Sequence, residues 1–372
     1  MKQEKKNSAF EITPNNPIVL GIVLIAIVGA IFLVELTKNN SAGIPLETIA
    51  VDKTGLQAAP DLQGITGYIN SEPGLSLKDL RGKVVLVDFW TYSCINCIRT
   101  IPYLNDWHAK YANDGLVIIG VHAPEFEFEK DHGNVRTAVE KYGIQYPVVQ
   151  DNDFTTWRAY ENRFWPHKFL IDSEGYIRYD HIGEGSYAET EEKIVELLKE
   201  KNANAKLENS SNPIVDDMNF DGIGTPEIYL GAAFARAPLG NDEDFSLDAP
   251  FEYTLPDTFT ANLPYFGGTW QTFDDYSKLF SESGEVALYY KAKNLNIVAG
   301  SLQGSLIKVF LNGKPLTEEN AGEDAMLVEG EWVTPITDRK LYNLVSAKDY
   351  DPKSIVFLVE GKGFELYTFT FG

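Results

Sequence analysis

The sequence predicts an α/β block followed by an all-β block, both behind one apolar segment of spanning length. Three observations carry this. Residues 61–203 alternate strand-like and helix-like segments, residues 226–372 hold short β-rich runs with no helix-period segment, and residues 18–34 carry no charge. The 372-residue chain is 44% hydrophobic and 12% aromatic, enough for more than one core and too much for wholesale disorder. Its formal net charge of −22 has the wrong sign for a nucleic-acid groove, so no nucleic acid is expected as a partner.

Residues 1–17 form the first segment, a tail carrying Lys2, Lys5 and Lys6. "IVLGIVLIAIVGAIFLV" (Ile18 to Val34) follows, and no A-x-A cleavage site comes after it. Its length approaches that of a spanning helix at about 1.5 Å per residue, so 18–36 reads as an uncleaved transmembrane anchor. The lysines ahead of it, against Lys38 alone close behind, keep the N-terminus cytoplasmic and place the folded blocks outside. Residues 37–60 read as a polar linker. The sequons at Asn39 and Asn209 agree with export.

In the α/β block (61–203), "KVVLVDFW" (Lys83 to Trp90) and "LVIIGV" (Leu116 to Val121) are β-branched runs that read as buried strands. Between them Ile98, Ile101, Leu104 and Trp107 recur at helical spacing. Asn134 to Gly143 reads as a helix with an N-cap candidate and a terminal glycine. "YPVVQ", "HKFLID" and "YIRYDHIG" read as strands, and Thr190 to Lys201 as the closing helix. Such alternation builds an α/β sheet. Residues 204–225 are polar and read as a linker. In 226–372, "EVALYYKAKN", "LIKVFLNGKPL", "SIVFLVEG" and "FELYTFTFG" alternate with period two, and "LNGK" (Leu311 to Lys314) is an Asn-Gly hairpin turn. These signals indicate an all-β sandwich, jelly-roll-like, expected to fold alone.

Cys94 and Cys97 are the only cysteines, spaced C-x-x-C. A structural zinc site needs about four ligands, and one pair with five histidines in no ligand spacing does not supply them, so no metal is expected. A structural disulfide across two residues closes too small a loop to restrain the unfolded chain much. Redox chemistry remains. The pair follows a buried strand and opens a helix, where unpaired N–H groups and the helix dipole stabilise a thiolate. Cys94, exposed at the first turn, is the expected nucleophile, and Cys97, deeper, resolves the mixed disulfide. No cofactor beyond that redox-active disulfide is called for.

The block resembles thioredoxin: Val87-Asp88-Phe89-Trp90 precede C-x-x-C, and Pro102 lies five residues after the second cysteine. The resemblance implies a thioredoxin fold. It also implies that Asp88 accepts the proton of Cys97; the alternative is a strand-end carboxylate bonded to backbone. It further implies a cis-proline facing the disulfide, matched by Pro166 after Trp165 and shaping the docking surface; the alternative is an ordinary trans turn. Trp90 and Trp165 are the substrate-binding candidates. A longer resemblance covers "DLRGKVVLVDFWTYSCINCIRTIPYLNDWHAKY", "GVHAPEFEFEKD", "TPEIYLG" and the terminal "YTFTFG". These look like the extracytoplasmic part of DipZ-type proteins, a thioredoxin-like domain of the TlpA class followed by a β domain resembling carbohydrate-binding modules. DipZ-type proteins carry a polytopic membrane portion. This chain has a single span, so the resemblance implies a separate membrane electron donor. It favours reduction of exported proteins with thiols or disulfides, apocytochrome haem-binding cysteines among them. Ile95 and Asn96 inside the motif do not ionise, which shifts proton handling towards Asp88 or to His122 and Glu125 at the end of a sheet strand. Either can tune the cysteines; the plainer reading is a polar loop over Phe126 and Phe128.

"DMNFDG" (Asp217 to Gly222) matches half of a calcium loop but lacks the closing carboxylate, so a solvated linker is the reading. Trp270, Phe273, Tyr276, Tyr289, Tyr290 and Trp332 either stack on a ligand or fill the β core. Two rivals remain at this stage. One is a redoxin-type peroxidase using Cys94 alone. The other is a surface protein whose β domain binds a glycan or protein ligand on a thioredoxin scaffold.

Overall fold

The computed structural model describes residues 53–202, 207 and 220–372. The anchor expected at 18–36, both sequons and most of the 204–225 linker lie outside the described residues. Among those described, no helix is long and apolar enough to cross a membrane.

The first block runs β1 (Gly67–Ile69), β2 (Val84–Trp90), α1 (Ile95–Tyr111), β3 (Leu116–His122), α2 (His132–Lys141), β4 (Val148–Gln150), α3 (Thr155–Ala159), β5 (His167–Ile171), β6 (Ile177–Ile182) and α4 (Tyr187–Lys201). The sheet order is β1-β4-β3-β2-β5-β6. Strands β2, β3 and β4 run parallel, and β1, β5 and β6 pair antiparallel. All seven residues of β2 are buried because it is central and covered on both faces. Period two sends Leu86 and Trp90 into the α1 side with Leu104, and Val85, Val87 and Phe89 to the other. Asp88 falls in register with Leu86 and Trp90, on the α1 side. This is a thioredoxin-like fold.

Helix α2 begins two residues before the expected Asn134, because the carboxylate of Asp131 caps it by accepting from Asn134 N at 3.0 Å. Helix α4 begins at Tyr187, three residues before Thr190. β1 and α3, of three and five residues, are too short to leave a periodic signal.

The second block is all β, from Ile228–Tyr229 to Glu365–Phe371. The strand Pro264–Thr272 pairs with Phe251–Tyr253 and takes part in two further ladders. Residues 264–267 pair with Ser283–Lys291, and residues 270–272 pair with Ser277–Leu279. The change falls at Gly268, whose φ of +90° only glycine adopts freely. Phe266, Leu288, Phe357, Trp270, Ile297 and Phe369, drawn from both ladders, fill one core. Leu311 pairs with Lys314 across Asn312 and Gly313, both at positive φ, as an Asn-Gly hairpin requires. Trp270 and Tyr290, weighed above as ligand platforms, are buried in that core, whereas Tyr289 is exposed.

From Thr54 onward the two blocks form one compact unit. Phe126 and Phe128 of the first pack with Tyr229, Phe234, Tyr276, Val298 and Tyr367 of the second. The aromatic rings that each block presents to the other join them, while the β block keeps a core of its own.

Candidate active site

Between β2 and α1 the chain turns through Thr91, Tyr92 and Ser93, all buried. Cys94 is the N-cap of α1, with extended backbone (φ −79°, ψ 115°), and its Sγ accepts from Cys97 N at 3.4 Å. A sulfur there takes the place of the oxygen that usually satisfies an orphan N–H of the first turn. Both thiols are free. Cys94 is 8% exposed and Cys97 1%. The expectation of an exposed Cys94 is therefore corrected: it is the outer of two buried thiols. Its Sγ donates to the carbonyl of Trp165 at 3.8 Å, and Trp165–Pro166 is cis. That loop is braced by His167, whose Nδ1 lies 2.8 Å from Asn162 Oδ1 and whose Nε2 lies 2.9 Å from Asp180 Oδ2. The indole of Trp165 donates to Ala123 O at 3.0 Å, at the end of β3.

Asp88 lies 2% exposed beneath the pair, and its Oδ1 has no hydrogen-bond partner among the described residues. The backbone-bonded alternative thus leaves that oxygen unexplained. Burial pushes the Asp88 carboxyl up to about 7, against the opposing pull of Lys168. Lys168 sits directly across the β2–β5 ladder from Asp88, fully buried, its Nζ donating to Gly183 O at 2.9 Å. Burial pulls the lysine down in turn. The Cys97 thiol is pushed well up, first by burial, then by Cys94 and Asp88. Three groups whose charges oppose one another therefore meet in one dry place.

His122 pairs with Trp90 in the β2–β3 register. It stacks on Tyr92 at 5.6 Å, meets the edge of Trp90 at 5.3 Å, and lies 3.3 Å from Thr91 Oγ1. Burial pulls it down to about 3, so it is a neutral ring supporting the turn. Trp90 is 1% exposed, which removes it from the substrate surface: its indole packs under the site because β2 is covered on both faces. Trp165 is half-buried, and its neighbour Phe164 is 49% exposed. Trp165, rather than Trp90, is the tryptophan beside the Cys94 sulfur.

On the other side of the turn, Glu129 is fully buried. One of its oxygens accepts from Ser93 Oγ at 2.5 Å and Ser93 N at 3.3 Å. The other accepts from Glu125 N at 2.5 Å and Phe126 N at 3.0 Å. The half-buried Glu125 side chain accepts from the Tyr229 hydroxyl of the β block at 2.6 Å, and the same hydroxyl lies 3.2 Å from Glu227. Burial, then the charges of Glu227 and Glu129, push Glu125 up to about 8.

A thiol at a helix start, a second thiol behind it and a buried carboxyl beneath are a set of groups suited to thiol–disulfide exchange. Residues 56–180 match the AhpC/TSA family and residues 225–372 the Thioredoxin like C-terminal domain. The thiol-disulfide oxidoreductase ResA of Bacillus thuringiensis is 34% identical over 125 residues, 34% of this chain and 67% of that protein. The thiol-disulfide oxidoreductase YkuV of Bacillus subtilis is 29% identical over 145 residues, 39% of this chain and 96% of that protein. The chain belongs to the thioredoxin-like thiol–disulfide oxidoreductases. Its two-block build is shared with the protein DipZ of Mycobacterium tuberculosis, 37% identical over 319 residues, 84% of this chain. The chain spans 43% of the length of that relative.

Cys94, Cys97, Asp88, Trp165 and Pro166 come together, with His122 and Glu125 on the neighbouring strand end. Sequence reasoning did not find Lys168, Glu129, Glu227 or Tyr229. A charge inside the apolar run "HKFLI" was the signal for Lys168. The segment "TPEIYLG" carries Glu227 and Tyr229, and no local pattern in it points to the distant Glu125.

Proposed function

We propose that the chain is a membrane-anchored extracytoplasmic thiol–disulfide reductase, single-pass, with a cytoplasmic N-terminus and a β-sandwich (jelly-roll-like) C-terminal domain. The observation that carries this is the stacked geometry of Cys94 over Cys97 and Asp88, with the outer sulfur turned to the Trp165 carbonyl at 3.8 Å. Cys94 attacks a substrate disulfide and forms a mixed disulfide. Cys97 gives its proton to Asp88 and attacks the Cys94 sulfur, which releases the second substrate thiolate and leaves the Cys94–Cys97 disulfide. Lys168 faces the carboxylate that Asp88 becomes when it gives the proton up. Pro166 and Trp165 shape the docking edge. The redox disulfide is the only prosthetic element the reaction needs. The substrates are exported proteins with disulfides, apocytochrome cysteines among them, and a separate membrane protein re-reduces the pair.

The test is the Cys94–Cys97 reduction potential together with insulin reduction by the full chain. A potential near or below about −250 mV with insulin turnover supports a reductase, and a value near −120 mV makes it an oxidant. Peroxide turnover surviving in Cys97→Ser would move the chain to the peroxidase reading. Release from membranes by alkaline carbonate would remove the anchor.

A further inference from the structure

The contact between Tyr229 and two carboxylates poses a counting problem. A phenol has one hydrogen, and its oxygen lies 2.6 Å from Glu125 and 3.2 Å from Glu227. If both carboxylates are charged, only one of these contacts has a proton to make it. The arrangement is complete when one carboxyl is protonated and donates to the Tyr229 oxygen, while the phenol donates to the other. Two half-buried like charges on one hydroxyl give the same answer, since holding one proton relieves their repulsion. Glu125 faces Glu129, Glu227, Tyr229 and Arg236; Glu227 faces Tyr229, Arg236 and Arg99. The two arginines do not cancel the acids. Arg99 is spent on Glu184 at 2.8 and 2.5 Å and on Asn96 at 2.8 Å, and Arg236 lies over the Tyr229 ring at 5.2 Å.

This cluster is tied to the redox turn twice. The Glu125 backbone N–H and the Ser93 N–H and hydroxyl are held by the same Glu129 carboxyl, and Ser93 is the residue before Cys94. Two residues before Glu125, the Ala123 carbonyl holds the indole of Trp165, whose own carbonyl faces the Cys94 sulfur. Resting on the thiol–disulfide reading above, we infer that the β block completes the redox site: Glu227 and Tyr229 share one proton with Glu125 and make it a proton reserve on the Cys94 side.

The balance is as follows. Cys94 reacts as the thiolate. When its sulfur bonds to one substrate sulfur, the S–S bond of the substrate breaks and its electron pair leaves on the second sulfur. That thiolate takes the proton of the Glu125–Glu227 pair and departs as a thiol. In the second step Cys97 gives its proton to Asp88 and attacks the Cys94 sulfur, and the substrate thiolate so released takes a proton from Asp88 or solvent. Two electrons leave the cysteine pair, two substrate thiols form, and the Glu125–Glu227 pair regains its proton from solvent. Glu227 and Tyr229 act through Glu125, so they are positioning residues.

Glu227→Gln tests this in the full chain. The amide donates to the Tyr229 oxygen, leaves the phenol proton to Glu125 and removes the like charge, so Glu125 ionises nearer the ordinary carboxylate range. Two probes separate proton supply from damage. Reduction of glutathione disulfide releases an alkyl thiolate that needs a proton. Reduction of 5,5′-dithiobis(2-nitrobenzoate) releases an aryl thiolate that is stable without one. The expected result is glutathione disulfide reduction slowed about tenfold at pH 7.5, the low end for a positioned acid, and nearly unchanged at pH 5.5, with the aryl disulfide unaffected at both. Equal slowing of both probes, or no slowing of either, overturns the inference and leaves the thiol–disulfide reading standing. A wild type that reduces neither probe overturns that reading and the inference with it.

Discussion

At the scale of single residues the proposed redox chemistry turns on Asp88 and Lys168, because each is buried against the other and against Cys97. A carboxyl raised to about 7 in the fold from 3.8 favours folding most below pH ~4, where both states are protonated. That contribution is lost as pH rises to about 7. Asp88→Asn removes the slope, so the melting temperature of the variant should climb relative to wild type between pH 4 and 7 and then level off. The difference reaches a few kcal/mol at about 1.4 kcal/mol per pKa unit, less whatever the stranded Lys168 charge costs. The rate should separate over the adjoining range: equal to wild type below about pH 6, slower by about tenfold at pH 8, where Asp88 serves as a base. Parallel pH–rate curves would take Asp88 out of the mechanism. The cysteines differ in the same environment. Limiting alkylation of the reduced protein should label Cys94 first, since Cys97 is more deeply buried and its thiol is pushed up. Mass mapping that finds Cys97 labelled first reverses their roles. The cysteines were legible in the sequence because their meaning lies in a short spacing, and Asp88 and Pro166 were reached through the resemblance to thioredoxin. Lys168 was not, because it acquires its meaning from a ladder partner 80 residues away.

At the scale of elements, periodicity carried the long strands and helices, and composition carried the Asn312–Gly313 turn. What periodicity cannot show is a strand shared by two ladders. Pro264–Thr272 changes partners at Gly268, where a Cβ would lie 3.0 Å from the Ser283 carbonyl. Both the positive φ and that close backbone penalise any side chain. Gly268→Ala should therefore destabilise the β block by about 1–3 kcal/mol. The measurement is denaturant unfolding followed by tryptophan fluorescence, to which Trp270, two residues away and fully buried, contributes. An unchanged midpoint would mean that the change of partners does not depend on glycine.

At the scale of the molecule, two blocks of different class are joined by aromatic rings that no local pattern announces. Phe126 follows β3 in the first block and is 1% exposed, yet its ring neighbours in the second are Tyr229 at 6.4 Å, Phe234 at 6.0 Å and Tyr367 at 5.2 Å. Phe128 meets the same Tyr367 at 4.8 Å. The alternating "EFEFE" stretch reads from sequence as a group that tunes the cysteines or as a polar loop over its two phenylalanines, and neither reading names what the rings pack against. In the fold its two phenylalanines enter the aromatic cluster, Glu129 turns back to Ser93, and Glu125 meets Tyr229. Removing a buried phenylalanine costs about 3–5 kcal/mol, and here the loss falls on the joint between blocks, since each keeps its own core. Phe126→Ala should therefore change the form of unfolding as well as its midpoint. Wild type should melt in one calorimetric transition. The variant should show two, the β block unfolding apart from the thioredoxin-like block. Because the same loop carries Glu125, the variant should also shift the pH dependence of glutathione disulfide reduction towards that of Glu227→Gln. A single transition, merely lower in temperature, would place the coupling in contacts other than this aromatic cluster.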